Sequence, residues 1–222
     1  MTLKIKYLDS QKGSSKNKAL FLGKDSKLSD FKGIFDDKIN KKIVNFLNNN
    51  KKTKEDKIFS LNLDFDQRLV IIFLIKKNDS LQSEKLGAKF YAFIKNNNVN
   101  DILIFGSNFS SVKNHIKFNE FIHGVELKAY EFNLYKTKNN KKEIIINILK
   151  NKNQINKNIK HNLDAVLNGI NFTRDLVSEP GNILHPDEYT KRLTKLRKYG
   201  LKVTVYDQKK LKKLGCNALL GV

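Results

Sequence analysis

The four histidines and the single cysteine are the residues best suited to metal binding or nucleophilic chemistry in this chain. His115, His123, His161 and His185 show neither His-Glu-x-x-His spacing nor partner cysteines, so we interpret each as a surface or capping histidine. Cys216 has no histidine near it in sequence, and its small and apolar neighbours favour packing over catalysis. These residues therefore predict neither a metal site nor a nucleophile.

Two short motifs are candidates for anion binding. Gly23-Lys24-Asp25-Ser26 is similar to the end of a phosphate-binding loop, but the glycine that such a loop requires is replaced by Lys18. Gly106-Ser107-Asn108 follows an apolar segment and could present backbone amides to an anion, although a plain strand-to-helix turn is the favoured interpretation. The acidic pairs Asp36-Asp37 and Glu55-Asp56 lie beside lysines and indicate solvated charge. Composition and spacing alone thus give a globular α/β protein without an identifiable active site.

Length and composition exclude several classes of protein. The 222 residues suffice for one large or two small domains, and 40% hydrophobic residues can form a core. The longest apolar run, Leu69–Ile75, is far shorter than the roughly 20 residues of a transmembrane helix. No export signal is visible at the N-terminus, and one cysteine forms no internal disulfide. We expect a cytoplasmic protein.

The formal charge of +21 raises the question of nucleic-acid binding. The positive excess is spread over both halves of the chain, and only four of the basic residues are arginine. Arginine is the side chain that specific phosphate and base recognition favours. Lysine is abundant together with asparagine and isoleucine, a composition typical of an AT-rich genome. We interpret most of the charge as a solvated surface.

Hydrophobic patterning predicts that β and α elements alternate through residues 1–150. A helix beginning near Asp79, with Gln82 completing a capping box, follows a hairpin whose second strand is buried on both faces. The further predicted elements are a first strand at residues 2–7, the hairpin strands Lys57–Leu63 and Arg68–Ile75, the strands Asp101–Phe105 and Glu143–Leu149, and a helix over Val112–Ala129. The fold class is α/β with a largely parallel sheet.

The last third of the chain predicts a linker and the start of another domain. Apolar residues at helical spacing indicate one long helix over about residues 153–177, preceded by the low-complexity segment Asn151-Lys152-Asn153. Pro186 at a first helical position, Gly200 as a left-handed cap and Asp207 as an N-cap frame two further helices, with a strand over 202–206 between them. We therefore expect domains at 1–150 and 181–222, joined by a linker at 151–180.

Residues 171–186, Asn-Phe-Thr-Arg-Asp-Leu-Val-Ser-Glu-Pro-Gly-Asn-Ile-Leu-His-Pro, resemble the interdomain segment N-x-A-R-D-L-V-N-E-P-A-N-x-L-T-P of the leucyl (cytosol) aminopeptidases, peptidase family M17. Two other segments, 124–136 and 201–222, resemble further motifs of the family in the same order. The chain departs from the family pattern at Thr173, Ser178, His185 and Cys216. Of these, His185 replaces the usual Thr or Ser cap and should weaken a helix start by up to about 1 kcal/mol.

The resemblance implies an N-terminal α/β domain similar to a macro domain, a linking helix and a C-terminal peptidase domain. In such enzymes two divalent metal ions, Mn²⁺ or Zn²⁺, activate a water that attacks the N-terminal peptide bond of a peptide. The resemblance also implies a hexameric assembly; from the short apolar runs we expect no association with membranes. The family's catalytic and metal-binding motifs have no counterpart in this sequence, so we assign no catalytic, cofactor-binding or metal residue. Arg174, Asp175 and Glu179 are hypothesised to form interdomain ion pairs.

The chain stops within the apolar stretch 218–222, just after a new α/β domain begins, so we expect a truncated sequence that is inactive alone. The leading hypothesis is the N-terminal part of a leucyl aminopeptidase. The alternative is a basic macro-like module that binds nucleic acid or a nucleotide.

Overall fold

The computed structural model describes residues 3–10, 15–64, 67–137, 143–150 and 153–221. Its strands are β1 (Leu3–Leu8), β2 (Asn17–Gly23), β3 (Lys57–Asp64), β4 (Gln67–Leu74), β5 (Asp101–Phe105) and β6 (Ile144–Leu149). Its helices are α1 (Leu28–Phe31), α2 (Asp37–Asn49), α3 (Ser80–Asn96), α4 (Phe118–Ala129), α5 (Lys157–Ser178), α6 (Pro186–Thr194), α7 (Gln208–Lys213) and α8 (Asn217–Leu220). A 3₁₀ helix, Lys195–Tyr199, follows α6.

The six strands form one sheet in the order β1-β6-β5-β2-β4-β3. Every neighbouring pair is parallel except β3 and β4, which are antiparallel. The sequence predicts this hairpin correctly, and the fold class is confirmed as α/β. The carboxyl ends of five strands therefore lie along one edge of the sheet.

Helices cover both faces of the sheet. Phe21 of β2 packs edge-on against Phe121 of α4, with ring centroids 5.2 Å apart. Phe73 of β4 packs against Phe46 of α2 at 5.8 Å. Phe73 pairs in register with Leu22, the residue after Phe21, and successive side chains of a strand point to opposite faces. The α2 and α4 layers are thus on opposite sides of the sheet.

The continuous apolar run predicted to be buried on both faces forms the middle of this sandwich. Every side chain from Leu69 to Leu74 is fully buried. A strand sandwiched between two helical layers needs apolar side chains on both faces, which is why the run does not alternate.

Two glycines bring α3 and α4 into close contact. A Cβ atom added at Gly87 would lie 1.8 Å from the carbonyl oxygen of Phe121, and one added at Gly124 would lie 1.9 Å from that of Glu84. Both distances are well below van der Waals contact. The backbones of the two helices therefore approach as closely as they do because neither position has a side chain.

The chain divides into two compact units, Met1–Ile170 and Asn171–Val222. The first unit contains the sheet and the buried core. In the second unit, none of the described apolar side chains is buried, and residues 171–221 contain helices, turns and irregular segments but no strand. Among the described helices, none combines the length and the apolar character needed to cross a membrane.

Several predicted helix boundaries and caps are confirmed. Gln82 N donates to Asp79 Oδ1 at 2.7 Å and Asp79 N donates to Gln82 Oε1 at 3.2 Å, which completes the capping box of α3. Lys210 N donates to Asp207 Oδ1 at the start of α7. Gly200 has the left-handed φ of 82° expected of a cap.

Three predictions about local structure are wrong. The helix expected from Val112 begins only at Phe118, because residues 107–115 form turns first. Residues 202–206 alternate in polarity but are not a strand, since they pair with no other strand among the described residues. His123 is 3% exposed and not on the surface, because its position on α4 faces α3.

The expectation that the acidic pairs are solvated is confirmed for Asp36, Asp37 and Glu55, which are exposed, whereas Asp56 is half-buried. Asp36 is the N-cap of α2 and accepts a hydrogen bond from Ile39 N. Asp56 accepts hydrogen bonds from Ile75 N and Asn78 Nδ2 beyond the end of β4. Parts of the expected elements, Thr2, Phe65-Asp66, Asn151-Lys152 and Val222, lie outside the described residues.

Candidate functional site

Gly23-Lys24-Asp25-Ser26 forms the turn at the end of β2, and the Ser26 hydroxyl of this turn forms hydrogen bonds with other groups of the protein. Gly23 N donates to Ser26 Oγ at 2.8 Å, and Ser26 Oγ is 2.9 Å from Ser111 Oγ. Ser111 Oγ in turn donates to Asp30 Oδ2 at 2.9 Å. This chain of hydrogen bonds links the turn to the segment after β5. The Ser26 hydroxyl therefore has a structural role.

The side chain of Asn153 forms hydrogen bonds with the polar groups of the turn after β5. Ser107 donates to Asn153 Oδ1 from both its backbone N (3.3 Å) and its Oγ (3.0 Å). Asn153 Nδ2 donates to the carbonyl oxygens of Ile104 and Leu149. The sequence gives no signal for this role of Asn153, which joins the carboxyl ends of β5 and β6. The backbone amide of Ser107 is therefore committed to a protein acceptor.

A cleft of about 500 Å³ lies beside this edge of the sheet. Its walls come from the segment after β4, the turns before α4, the first turn of α4 and the start of α5. Three lysines, Lys77, Lys113 and Lys117, contribute to the lining, and Glu120 is its one acidic residue. Carboxyl ends of parallel strands are where α/β folds most often bind ligands, so this cleft is the candidate pocket of the first unit.

The cleft is only slightly richer in lysine than the chain as a whole, since three of its 13 lining residues are lysine, against 39 of 222 in the full sequence. Lys117 Nζ donates to Ser80 Oγ at 3.0 Å, which uses this cation in a link between α4 and α3. The cleft therefore fits the surface-charge interpretation as well as it fits anion binding.

The histidines are dispersed, and among the described residues no three His, Cys, Asp or Glu side chains are placed to hold a metal ion. Burial lowers the pKa of His123, and the nearby Glu84 partly opposes that shift. His185 is the N-cap residue of α6 but forms no side-chain capping hydrogen bond. His161 is exposed and His115 is half-buried.

The second unit contains an ion-pair network around Arg192. Arg192 Nη1 donates to Glu179 Oε1 at 2.8 Å, and Arg192 Nε donates to Glu188 Oε1 at 3.1 Å. The Glu179 side chain is only 3% exposed. The sequence spacing of Glu188 and Arg192 on α6 would have indicated their pair, whereas the contact with Glu179 depends on the turn between α5 and α6.

Glu179 pairs with Arg192 of the same compact unit, so this ion pair does not test the interdomain role hypothesised for Glu179, which stays a prediction. The pairing is local to the turn that follows α5. The interdomain role hypothesised for Arg174 and Asp175 stays a prediction.

Comparison with known proteins gives consistent results for sequence and fold. The family model "Cytosol aminopeptidase family, catalytic domain" matches residues 171–222. A probable cytosol aminopeptidase of Phytoplasma mali is 41% identical over 109 residues, which are 46% of this chain and 22% of that protein. A probable cytosol aminopeptidase of Phytoplasma australiense is 36% identical over 129 residues, 57% of this chain and 26% of that protein.

Solved structures share the fold. A mutant of tomato leucine aminopeptidase superposes with a TM-score of 0.67 at 18% identity, covering 96% of this chain and 46% of that chain. The bottromycin maturation enzyme BotP in complex with Mn superposes with a TM-score of 0.59 at 12% identity, covering 91% of this chain and 40% of that chain.

The sheet between helical layers and the helices of residues 171–221 define an α/β protein that shares its fold with part of tomato leucine aminopeptidase. The family model matches the whole of the second unit, which includes the resembling segment 171–186. In sequence, the chain is thus similar to the cytosol aminopeptidases, through the match of residues 171–222 to their catalytic domain and through its identity to the two probable cytosol aminopeptidases. It spans about a quarter of the length of the curated relatives that it matches.

Proposed function

We propose that the chain is the N-terminal part of a metal-dependent leucyl aminopeptidase, a hydrolase that releases N-terminal amino acids from peptides. The observation that carries this proposal is the match of residues 171–222 to the catalytic domain of the cytosol aminopeptidase family. The identity of 41% to a probable cytosol aminopeptidase supports it.

The domain arrangement proposed for this enzyme has an α/β domain at 1–150, a linker at 151–180 and the first part of the peptidase domain at 181–222. The division between the two compact units falls at Ile170, within the proposed linker. Side chains such as Val177 (81% exposed) and Leu219 (67% exposed) leave apolar surface open in the second unit. Such surface supports a segment that packs against further parts of a larger domain.

Two divalent metal ions, Mn²⁺ or Zn²⁺, are proposed for the complete enzyme. A structural neighbour is described in complex with Mn, which supports a metal in this family. When bound, such metals lower the pKa of a water molecule and polarise the scissile carbonyl. The described residues of this chain do not fit a metal site, so we assign no catalytic step to them. We expect the metal ligands to belong to the rest of the peptidase domain.

The proposed role of this chain's own residues is to fold and position the entry to the peptidase domain. Arg192 holds Glu179, at the end of α5, against Glu188 in the first turn of α6. Peptide substrates, a homo-oligomeric assembly, most simply a hexamer, and a cytoplasmic location are proposed from the family. Nucleic-acid binding stays the alternative for the basic first unit.

Peptidase activity is tested by measuring the release of leucine from leucyl-p-nitroanilide with Mn²⁺ or Zn²⁺. We expect activity in the protein purified from its source cell, loss of that activity on chelation, and no activity in the 222-residue chain. Absence of metal-dependent release by the source protein would contradict the proposed function. Release by the 222-residue chain would contradict the assignment of catalysis to residues elsewhere.

A further inference from the structure

A buried histidine lies where α3 and α4 cross. The side chain of His123 on α4 is 3% exposed, and its Nε2 is 4.0 Å from Glu84 Oε2 on α3. At the next residue along α4, Gly124, an added Cβ atom would lie 1.9 Å from the carbonyl oxygen of Glu84. His123 is therefore enclosed beside one of the two points at which the helix backbones are in direct contact.

The surroundings of His123 suit a neutral imidazole. Its Nδ1 is buried and forms no hydrogen bond with any of the described residues. The 4.0 Å from Nε2 to Glu84 Oε2 is longer than an N–H···O hydrogen bond, which spans about 2.7–3.2 Å. An imidazolium has an N–H donor on both nitrogens, so protonation would bury a charge and two donors without adequate acceptors.

The charged groups around His123 do not compensate for its burial. Glu84 of α3 is the carboxylate at 4.0 Å, but its side chain is 35% exposed, so water screens its charge. Glu120 of α4 and Asp164 of α5 also favour the imidazolium, and Lys160 of α5 opposes it. Lys160 and Asp164 neutralise one another in an ion pair of 2.7 Å. Burial outweighs the carboxylates and lowers the pKa of His123 from its ordinary 6.5.

The crossing of α3 and α4 covers an aromatic part of the core. Phe121 of α4 has its ring centroid 5.5 Å from that of Phe90 on α3 and 5.2 Å from that of Phe21 on β2. All three rings are fully buried. Any change in the spacing of α3 and α4 at His123 therefore acts on the apolar layer that covers this face of the sheet.

We propose that protonation of His123 weakens the contact between α3 and α4, so that this crossing opens more readily at mildly acidic pH. In the closed crossing, a neutral imidazole is an uncharged side chain in a filled interface. A protonated imidazole is a buried cation whose nearest carboxylate is beyond hydrogen-bond distance. Opening hydrates the cation, so the proton favours the open state. This pH-sensitive contact belongs to the first unit and is independent of peptidase activity.

The direction of the pH dependence follows from the proton affinities of the two states. The ordinary pKa of 6.5 applies to the hydrated imidazole of the open state, and the closed state has a lower pKa. The open state therefore binds the proton more readily, and the contact has its full strength above pH 6.5. As the pH falls below 6.5, the opening equilibrium rises by up to about tenfold per pH unit and levels off below the closed-state pKa.

Hydrogen exchange of the full 222-residue chain between about pH 5 and 8, corrected for intrinsic exchange rates, measures this opening. We expect the protection of amides in residues 121–129 of α4 to change little above pH 7. Below 6.5 it should fall by up to about tenfold per pH unit. Protection of α4 that does not depend on pH in this range would overturn the proposal.

Two histidine variants assign the fall to one side chain. His123→Gln replaces the imidazole with a polar group that is uncharged at every pH, so it should abolish the fall. His161→Gln removes an exposed histidine of the same unit and should behave as the wild type. A fall in His123→Gln equal to that of the wild type would overturn the proposal.

A proton NMR titration of the His123 imidazole in the wild type needs no variant to fold. We expect a midpoint below 6.5, and a midpoint at or above 6.5 would overturn the proposal. Glu84→Gln removes the carboxylate that partly stabilises the imidazolium, so it should lower the His123 midpoint further and leave that of His161 unchanged. An unchanged His123 midpoint in Glu84→Gln would contradict the contact between the two side chains on which the proposal depends.

Discussion

Gly87 and Gly124 act at the residue scale by permitting the close approach of α3 and α4. A Cβ atom added at either position would lie less than 2 Å from a backbone carbonyl oxygen of the other helix. Backbone atoms cannot move aside as the end of a flexible side chain can. Substitution at either glycine must therefore separate the two helices and disturb the apolar layer beneath them.

Gly124→Ala is expected to lower the free energy of unfolding by about 1–3 kcal/mol or more, because a methyl group is forced into an already filled interface. Denaturant unfolding followed by circular dichroism measures the change. Gly169→Ala is the matched control, since a Cβ there meets nothing within 4 Å. As an exposed helical position, it should gain about 0.5–1 kcal/mol. Equal effects of the two substitutions would contradict the close contact.

The ion pair between Glu179 and Arg192 is expected to hold the turn between α5 and α6 in place. Glu179→Gln removes the charge from a side chain that is 3% exposed, so we expect the turn between α5 and α6 to loosen. Limited proteolysis within residues 178–188 should accelerate. Lys191→Gln removes the charge of a side chain that is 70% exposed and pairs with Glu188, so it should change the rate of proteolysis far less. Equal rates in the two variants would mean that the buried pair does not hold the turn.

At the scale of elements, the start of α6 lacks a capping side chain. His185 is at the N-cap with extended backbone, and Pro186 occupies the first helical position. An imidazole at this position forms no hydrogen bond with the backbone N–H groups of the first turn in this structure. The helix therefore begins with acidic residues and a proline but without a side-chain acceptor.

His185→Thr supplies a hydroxyl acceptor and should stabilise the first turn of α6 by up to about 1 kcal/mol. Hydrogen exchange at Asp187 and Glu188 should slow by up to about fivefold. His185→Ala removes the imidazole without adding an acceptor, and its exchange should stay near the wild-type rate. Equal slowing in both variants would show that loss of the imidazole, and not capping, is responsible.

Elements with a strong local signal could be predicted from the sequence. The strand over Asp101–Phe105 has the predicted bounds, and the capping box of α3 is formed by the two residues whose spacing indicated it. The helix α2 is missing from the predicted elements although its signal is present, since Ile39, Ile43, Phe46 and Leu47 recur at helical spacing after the N-cap Asp36. Strand β2 is short and apolar, a pattern that does not distinguish a buried strand from other buried segments.

The errors arise where structure depends on distant partners. Residues 202–206 alternate as a strand does, but a strand requires a neighbour to satisfy its backbone groups. His123 is buried because α3 crosses α4 at the glycines, and a single sequence does not reveal which helices cross. The links made by Asn153 and Glu179 likewise join residues whose proximity the fold creates. The candidate cleft, assembled from three separate chain segments, could not be predicted for the same reason.

At the scale of the whole molecule, the two units differ in how they bury apolar surface. The first unit covers both faces of its sheet with helices, whereas the second has no buried apolar side chain among residues 171–221. The family model matches the second unit, so the part of the chain with the family match is also the part that buries less apolar surface. This contrast is expected if residues 181–222 belong to a larger peptidase domain.

The intact mass of the protein produced by its source cell tests this account most directly. The account predicts a mass of about twice 25.7 kDa, with residues 1–222 as its N-terminal part and a metal-binding peptidase domain in the remainder. A mass of 25.7 kDa would contradict it, and the chain would then be a stand-alone domain for which binding of nucleic acid or a nucleotide is the first function to examine.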